Sequence, residues 1–166
     1  WADVEGPADA AYAVITFGST TGAVREALER AAARGLPLRL VALRLIAPLQ
    51  AAALEQALRG VREVLVVEQN HGGQLHRLLR ADCDLPCTLT PLHRPGALQW
   101  TPDDLHRELL AWLERSRHHA RGHGARHRPR CGEAELAIGH GTAASGRTNG
   151  PRPLASRCSI PGCQRA

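Results

Sequence analysis

The chain has 166 residues, 21 of them basic and 16 acidic, for a formal net charge of +5 at pH 7. No apolar run approaches the roughly 20 residues that span a bilayer, and the N-terminus lacks the make-up of a signal peptide, so membrane-embedded and secreted classes are set aside. The charge is uneven: residues 1–116 hold 12 Arg against 14 Asp and Glu, whereas residues 117–166 hold 9 Arg against 2 Glu. The basic character therefore belongs to the end of the chain and does not make the whole protein a nucleic-acid binder.

Taken in order, residues 1–10 read as a linker. Ala11–Phe17 is a short β-rich run ending at Gly18 and reads as a buried strand. Gly18-Ser-Thr-Thr-Gly22 follows, and Val24, Ala27, Leu28 and Ala31 recur at helical spacing over 23–34. Ser19, Thr20 or Thr21 can cap that helix, and Gly35 suits the position past its end. Leu36–Ile46 is a second extended run broken by Pro48, and 51–58 a short helix with Gly60 behind it. Arg62–Glu68 is a third strand, Gln69–Gly73 a turn, and 74–80 a helix with Leu75, Leu78 and Leu79 on one face. Leu85–Leu92 is a fourth, weaker strand, and Pro95-Gly96 turns the chain. Thr101 then caps a helix that begins with Pro102, Asp103 and Asp104 and runs to about Arg115.

Strands that alternate with helices, and that are continuously apolar, predict an α/β fold: an open, mostly parallel sheet with helices on both faces. Residues 11–116 are long enough to form one domain with its own core. Residues 117–166, rich in Arg, His, Gly and Pro, have too little apolar surface to offset their chain entropy and read as a basic, low-order tail. Such a composition is what out-of-frame reading of GC-rich DNA produces; a genuine basic tail is the alternative. The chain starts at Trp1 and has no methionine, which reads as a piece of a longer protein. Its five cysteines are odd in number and form no CxxC pair, pointing to free thiols in a reducing, cytoplasmic setting.

Two segments are candidates for a site. Gly18, Ser19, Thr20 and Gly22 form a strand-to-helix turn whose free N–H groups can receive an anion in principle, although the pattern is neither GxGxxG nor a P-loop and such a turn is more often a plain tight connection. Glu68-Gln-Asn-His-Gly-Gly-Gln74 gathers a carboxylate, three side-chain amides and His71 at the C-terminal end of a strand, the edge where open α/β sheets bind ligands or partners. The same cluster can also serve only to close a turn. No nucleophile elbow, acid/base pair or four-cysteine cluster spacing is present. His118, His119, His123, His127 and Cys131 lack the local core that a designed metal site needs, so no metal site is expected.

Ile15–Gly22, Leu43–Pro48 and Val64–Leu75, in that order, resemble the C-terminal, transketolase-like domain of 2-oxoacid:ferredoxin oxidoreductase α subunits, most closely the 2-oxoglutarate type. The resemblance covers about residues 10–116, and its most specific part is Val67-Glu-Gln-Asn70 with Gly73-Gln74. It implies membership of a complex that oxidatively decarboxylates a 2-oxoacid to an acyl-CoA with thiamine diphosphate, magnesium, coenzyme A, iron–sulfur clusters and ferredoxin. It also implies that other α-subunit domains and a β subunit hold those groups, that this domain binds none of them, and that it does not turn over substrate alone. Glu68, Gln69, Asn70, Gly73 and Gln74 would then face neighbouring domains and position them. A stand-alone anion-binding module using Ser19–Gly22, or a non-specific nucleic-acid binder acting through the tail, would be the competing functions.

Overall fold

The computed structural model describes residues 1–122. Its elements are β1 (Ala2–Glu5), β2 (Tyr12–Phe17), α1 (Thr20–Ala32), β3 (Arg39–Leu43), α2 (Ala51–Ala57), β4 (Glu63–Glu68), α3 (Gln74–Asp82), β5 (Thr88–His93) and α4 (Pro102–Gly122). The five strands form one sheet in the order β1-β3-β2-β4-β5, parallel throughout except for β1. This is the mostly parallel α/β sheet that the alternating pattern predicts.

The helices divide between the faces. Val24, Ala27, Leu28 and Ala31 of α1 and Leu105, Leu109, Trp112 and Leu113 of α4 pack on Val14, Leu40, Leu65 and Val67. Leu54 of α2 and Leu75 and Leu79 of α3 pack on Ile15, Val41, Val64 and Val66. Adjacent strand residues alternate between two apolar cores, so β3 is buried at every position and β4 at all but its first. Each fully buried Leu or Ile contributes roughly 1.5–3 kcal/mol relative to exposure. Two helix ends follow the local chemistry read from the sequence. Gly35 sits at φ +73° past α1, with its N–H donating to Ala32 O and that of Leu36 to Ala31 O, which closes the orphan carbonyls. Thr101 Oγ1 accepts the Asp104 N–H at 3.1 Å to start α4.

Residues 1–10 are not a linker over their whole length. Ala2–Glu5 adds to the sheet edge antiparallel to β3, pairing Ala2 with Leu43 and Glu5 with Leu40. The Ala-Asp-Val-Glu sequence is too short and polar to signal a strand, because its carboxylates find cations outside the strand. Asp3 pairs with Arg44 at 2.8 Å and Glu5 with Arg25 of α1 at 2.7 Å. Gly6 then turns at φ +88°, where a Cβ would lie 2.4 Å from Leu38 O. The buried Arg39 guanidinium ties this segment down further by donating to Pro7 O at 3.1 Å and Ala57 O at 2.5 Å. At the other end, α4 runs on to Gly122, past the expected stop near Arg115. One cause is Ser116, which is 3% exposed and donates to Glu63 Oε2 at 2.5 Å. The remainder of the expected basic tail, with His123, His127 and Cys131, lies outside the described residues. Among the described residues, no helix is long and apolar enough to cross a membrane.

Candidate functional site

β2 and β4 are neighbours in the sheet, and the crossover that leaves β2 runs through α1 to β3 whereas the one that leaves β4 runs through α3 to β5, in the opposite direction. The loops at the C-terminal ends of β2 and β4 therefore meet at the topological switch point, where open α/β sheets form their crevice. Both candidate segments, 18–22 and 68–74, lie there. A side-chain bond spans the two strands: Thr16 Oγ1 donates to Val67 O at 3.0 Å.

In the first segment, Gly18 turns at φ +65° and is exposed. Ser19 occupies the cap position of α1 but makes no side-chain cap bond. The Thr20 hydroxyl points inward, donating to Phe17 O at 2.7 Å and lying 3.0 Å from Thr16 Oγ1; it serves the fold rather than the crevice. A broad, open polar depression of about 520 Å³ lies beside Gly18 and Thr21, with Arg25 and Arg44 on its walls. Each arginine is already matched, to Glu5 and to Asp3. The Arg25 hydrogen bond holds the Glu5 carboxyl below its ordinary range, and the same bond raises Arg25. The cations needed to draw an anion there are therefore largely neutralised, which speaks against the anion-binding alternative.

The second segment is built inward. α3 has no Ser, Thr or Asp at its start; its cap position is Gly73, at φ +60°. Its first N–H groups are satisfied from the end of β4 instead. Asn70 Oδ1 accepts from Gly73 N at 2.8 Å and Gln74 N at 3.3 Å. Glu68 Oε2 accepts from Leu75 N at 2.7 Å and Oε1 from His76 N at 3.1 Å. Asn70 Nδ2 donates to Glu68 Oε2 at 2.6 Å, locking the two caps together. Glu68 has no exposed surface, so a buried carboxylate sits against the positive end of the helix dipole with charge-assisted bonds. The helix end that would receive a ligand anion already holds one supplied by the chain.

Gln69 faces the other way and clamps the 94–100 loop. Its Nε2 donates to Leu98 O at 3.1 Å and Gly96 O at 3.4 Å, and its Oε1 accepts the Trp100 N–H at 3.1 Å. The buried Trp100 indole donates to Glu68 O at 3.2 Å. Arg94 stacks on the Trp100 ring, 4.0 Å from its centroid, and pairs with Asp104 at 3.1 Å. The Asp104 carboxyl is held below its ordinary value, first by the Thr101 hydroxyl and then, against some desolvation, by Arg94. Gln74 joins the cluster only through its backbone; its side chain is exposed.

The family model for the pyruvate:ferredoxin oxidoreductase core domain II matches residues 10–104, which takes in β2 to β5 and both candidate segments. The chain belongs to that family. A core domain II of this kind is 41% identical over 78 residues to the α subunit of 2-oxoacid:ferredoxin oxidoreductase 2 of Aeropyrum pernix, covering 47% of this chain and 12% of that one. It is 29% identical over 86 residues to the corresponding α subunit of Saccharolobus solfataricus, covering 52% and 14%. Among solved structures it is similar to 2-oxoglutarate:ferredoxin oxidoreductase of Magnetococcus marinus, described with 2-oxoglutarate, coenzyme A and succinyl-CoA bound. There the TM-score is 0.61 and identity 32%, over 66% of this chain and 19% of the other. A split-gene transketolase, at 16% identity and TM-score 0.52, shares the fold over 69% of this chain and 41% of the other. The core domain II thus spans under a fifth of each of the first three relatives. The sequence placed Glu68, Gln69 and Asn70 together; it did not reveal Arg94, Trp100 and Asp104 as their partners, because nothing in spacing links residue 69 to a loop some 30 positions on.

Proposed function

We propose that this chain is the core domain II of the α subunit of a 2-oxoacid:ferredoxin oxidoreductase of the 2-oxoglutarate type, and that its role is to position neighbouring domains and subunits. The complex would oxidatively decarboxylate a 2-oxoacid to an acyl-CoA and pass electrons to ferredoxin in the cytoplasm. The observation that carries the positioning role is the wiring of Glu68, Gln69 and Asn70. Each of their polar side chains holds another element of the fold, α3 or the 94–100 loop. Such side chains set the shape of a crevice edge and leave no free group for general acid/base work.

The described residues do not fit the cofactors of such a complex. A diphosphate would meet the Glu68 carboxylate at the α3 N-terminus and charge-matched arginines beside α1. No group of three or more His, Cys, Asp or Glu is placed to hold a metal among the described residues. Cys83 and Cys87 are the only described thiols, too few for a cluster. Thiamine diphosphate, magnesium, iron–sulfur clusters and coenzyme A therefore belong, on this reading, to other domains and to the β subunit. The test is expression of the full-length α polypeptide with its β subunit and assay of 2-oxoglutarate- and coenzyme A-dependent ferredoxin reduction. Gln69→Ala with Asn70→Ala should lower activity or subunit stoichiometry; a complex unchanged in both respects would remove the positioning role.

A further inference from the structure

β5 stands at one end of the sheet. Its inner edge pairs with β4, and among the described residues no strand pairs with its outer edge. An open edge carries N–H and C=O groups on which another chain can add a strand, and sheets blunt such edges with charged side chains, bulges, very short strands or proline. At the opposite end, β1 is four residues long and two of them are carboxylates. β5 has neither device. Thr88-Leu-Thr-Pro-Leu-His93 is six residues long and holds no Asp, Glu, Lys or Arg. Its register with β4 runs unbroken from Thr88 to His93, so no bulge turns it aside. Its threonines suit an extended strand. What remains to guard this edge is Pro91.

The register fixes which way Pro91 faces. The Thr88 N–H donates to Arg62 O at 3.0 Å, toward β4. Backbone groups of successive strand residues point to alternate sides, so Thr88, Thr90 and Leu92 face β4, and Leu89, Pro91 and His93 face outward. Proline has no N–H to give, so at position 91 it costs the ladder with β4 nothing. It removes the middle one of three outward donors, and its ring fills the space in which an incoming carbonyl would sit. The donors on either side, Leu89 and His93, are left without a consecutive rung between them.

We infer that Pro91 closes the outer edge of β5 to strand addition by a second copy of this chain, so that the sheet stops at five strands. A second copy presents the same uncharged, regular edge, and two such edges can pair antiparallel about a two-fold axis centred on residue 91. The inference is independent of the α-subunit reading.

Pro91→Val and Pro91→Thr each restore the missing N–H on a strand-forming residue, one apolar and one polar. In the two-fold pair each copy gains one hydrogen bond, worth about fivefold apiece, so self-association should tighten by at least about tenfold. Sedimentation equilibrium of the 166-residue chain and of both variants measures the association, and amide exchange read by NMR locates it. Both variants should associate more tightly than the wild type, with new protection at the N–H groups of Leu89, residue 91 and His93. Variants that fold as the wild type does and associate no more tightly would overturn the inference. So would tighter association without protection at those three groups, or a wild-type chain already protected at Leu89 and His93 by pairing with itself. If neither variant folds, the proline serves the fold and not the edge, and the inference fails on that ground.

Discussion

Glu68 shows how one side chain decides whether a helix end is a binding site or a joint. Its two oxygens accept three N–H bonds, two from the α3 backbone and one from Asn70, with no solvent contact. Glu68→Gln keeps the volume but turns one acceptor into a donor that faces an N–H, so one buried donor loses its partner. The expected cost is about 2–4 kcal/mol, read as a Tm lower by more than about 5 °C and as a reduced urea midpoint. A variant as stable as the wild type would show that the carboxylate is not the cap. Gly73→Ala tests the adjacent position. It combines φ +60° with a new Cβ 3.2 Å from the His93 ring, and should cost about 1–2 kcal/mol. Cys87 supplies a chemical prediction at the same scale. Burial pushes its thiol up from 9.0 to about 11, so its thiolate fraction at pH 8 should be about a hundredth of that of an ordinary thiol. Alkylation followed by peptide mapping should find Cys87 far slower than a free-cysteine peptide; equal rates would mean that the site is open.

At the scale of elements, the sequence carried most of the fold because the strands are continuous and the helices have clean apolar faces. β3 and β4 are buried on both sides, so their Val- and Leu-rich runs could be nothing polar-faced. The helix bounded by Thr101, Pro102 and the two aspartates began where its capping chemistry placed it. β1 was illegible for the opposite reason. Its residues alternate between a partly covered face and carboxylates that meet Arg25 and Arg44 from distant positions, and no local signal reports those pairings. The site divided along the same line. Glu68, Gln69 and Asn70 stand adjacent in the chain, so their grouping could be read. Their actual work, capping α3 across seven or eight positions and clamping a loop about 30 positions on, depends on the turn that Gly73 makes and on the proximity of β4 and β5. The amide cluster looked like a ligand edge because cap residues and ligand residues have the same chemistry; burial is what separates them.

For the molecule as a whole, the family match, residues 10–104, leaves out the antiparallel edge strand before it as well as most of α4 after it. β1 covers the backbone of β3, whose residues are all buried, and Arg39 ties the segment after it to the C-terminal carbonyl of α2. Removal of residues 1–9 would uncover the edge of four apolar residues, Leu40–Leu43, and leave the buried Arg39 guanidinium with one carbonyl fewer. An exposed edge of that kind invites pairing with another chain, so the truncated protein should lose stability and aggregate in a concentration-dependent way. The tether should also respond to acid. The Arg25 hydrogen bond lowers the Glu5 carboxyl below its ordinary value of 4.5. A carboxyl depressed in the folded state binds fewer protons there than when unfolded. Its contribution is therefore complete above about pH 4.5 and lost as the pH falls through the lowered folded value. Because both side chains are more than a third exposed, solvent screening limits the contribution to about 0.5 kcal/mol. Arg25→Ala should thus make only a small difference at pH 7 and none once Glu5 is protonated. Deletion of residues 1–9 should remain strongly destabilising at both pH values. Urea titrations of the three proteins at pH 7 and pH 3 separate the two effects. If Arg25→Ala cost as much as the deletion, the ion pair rather than the strand pairing would be holding the edge.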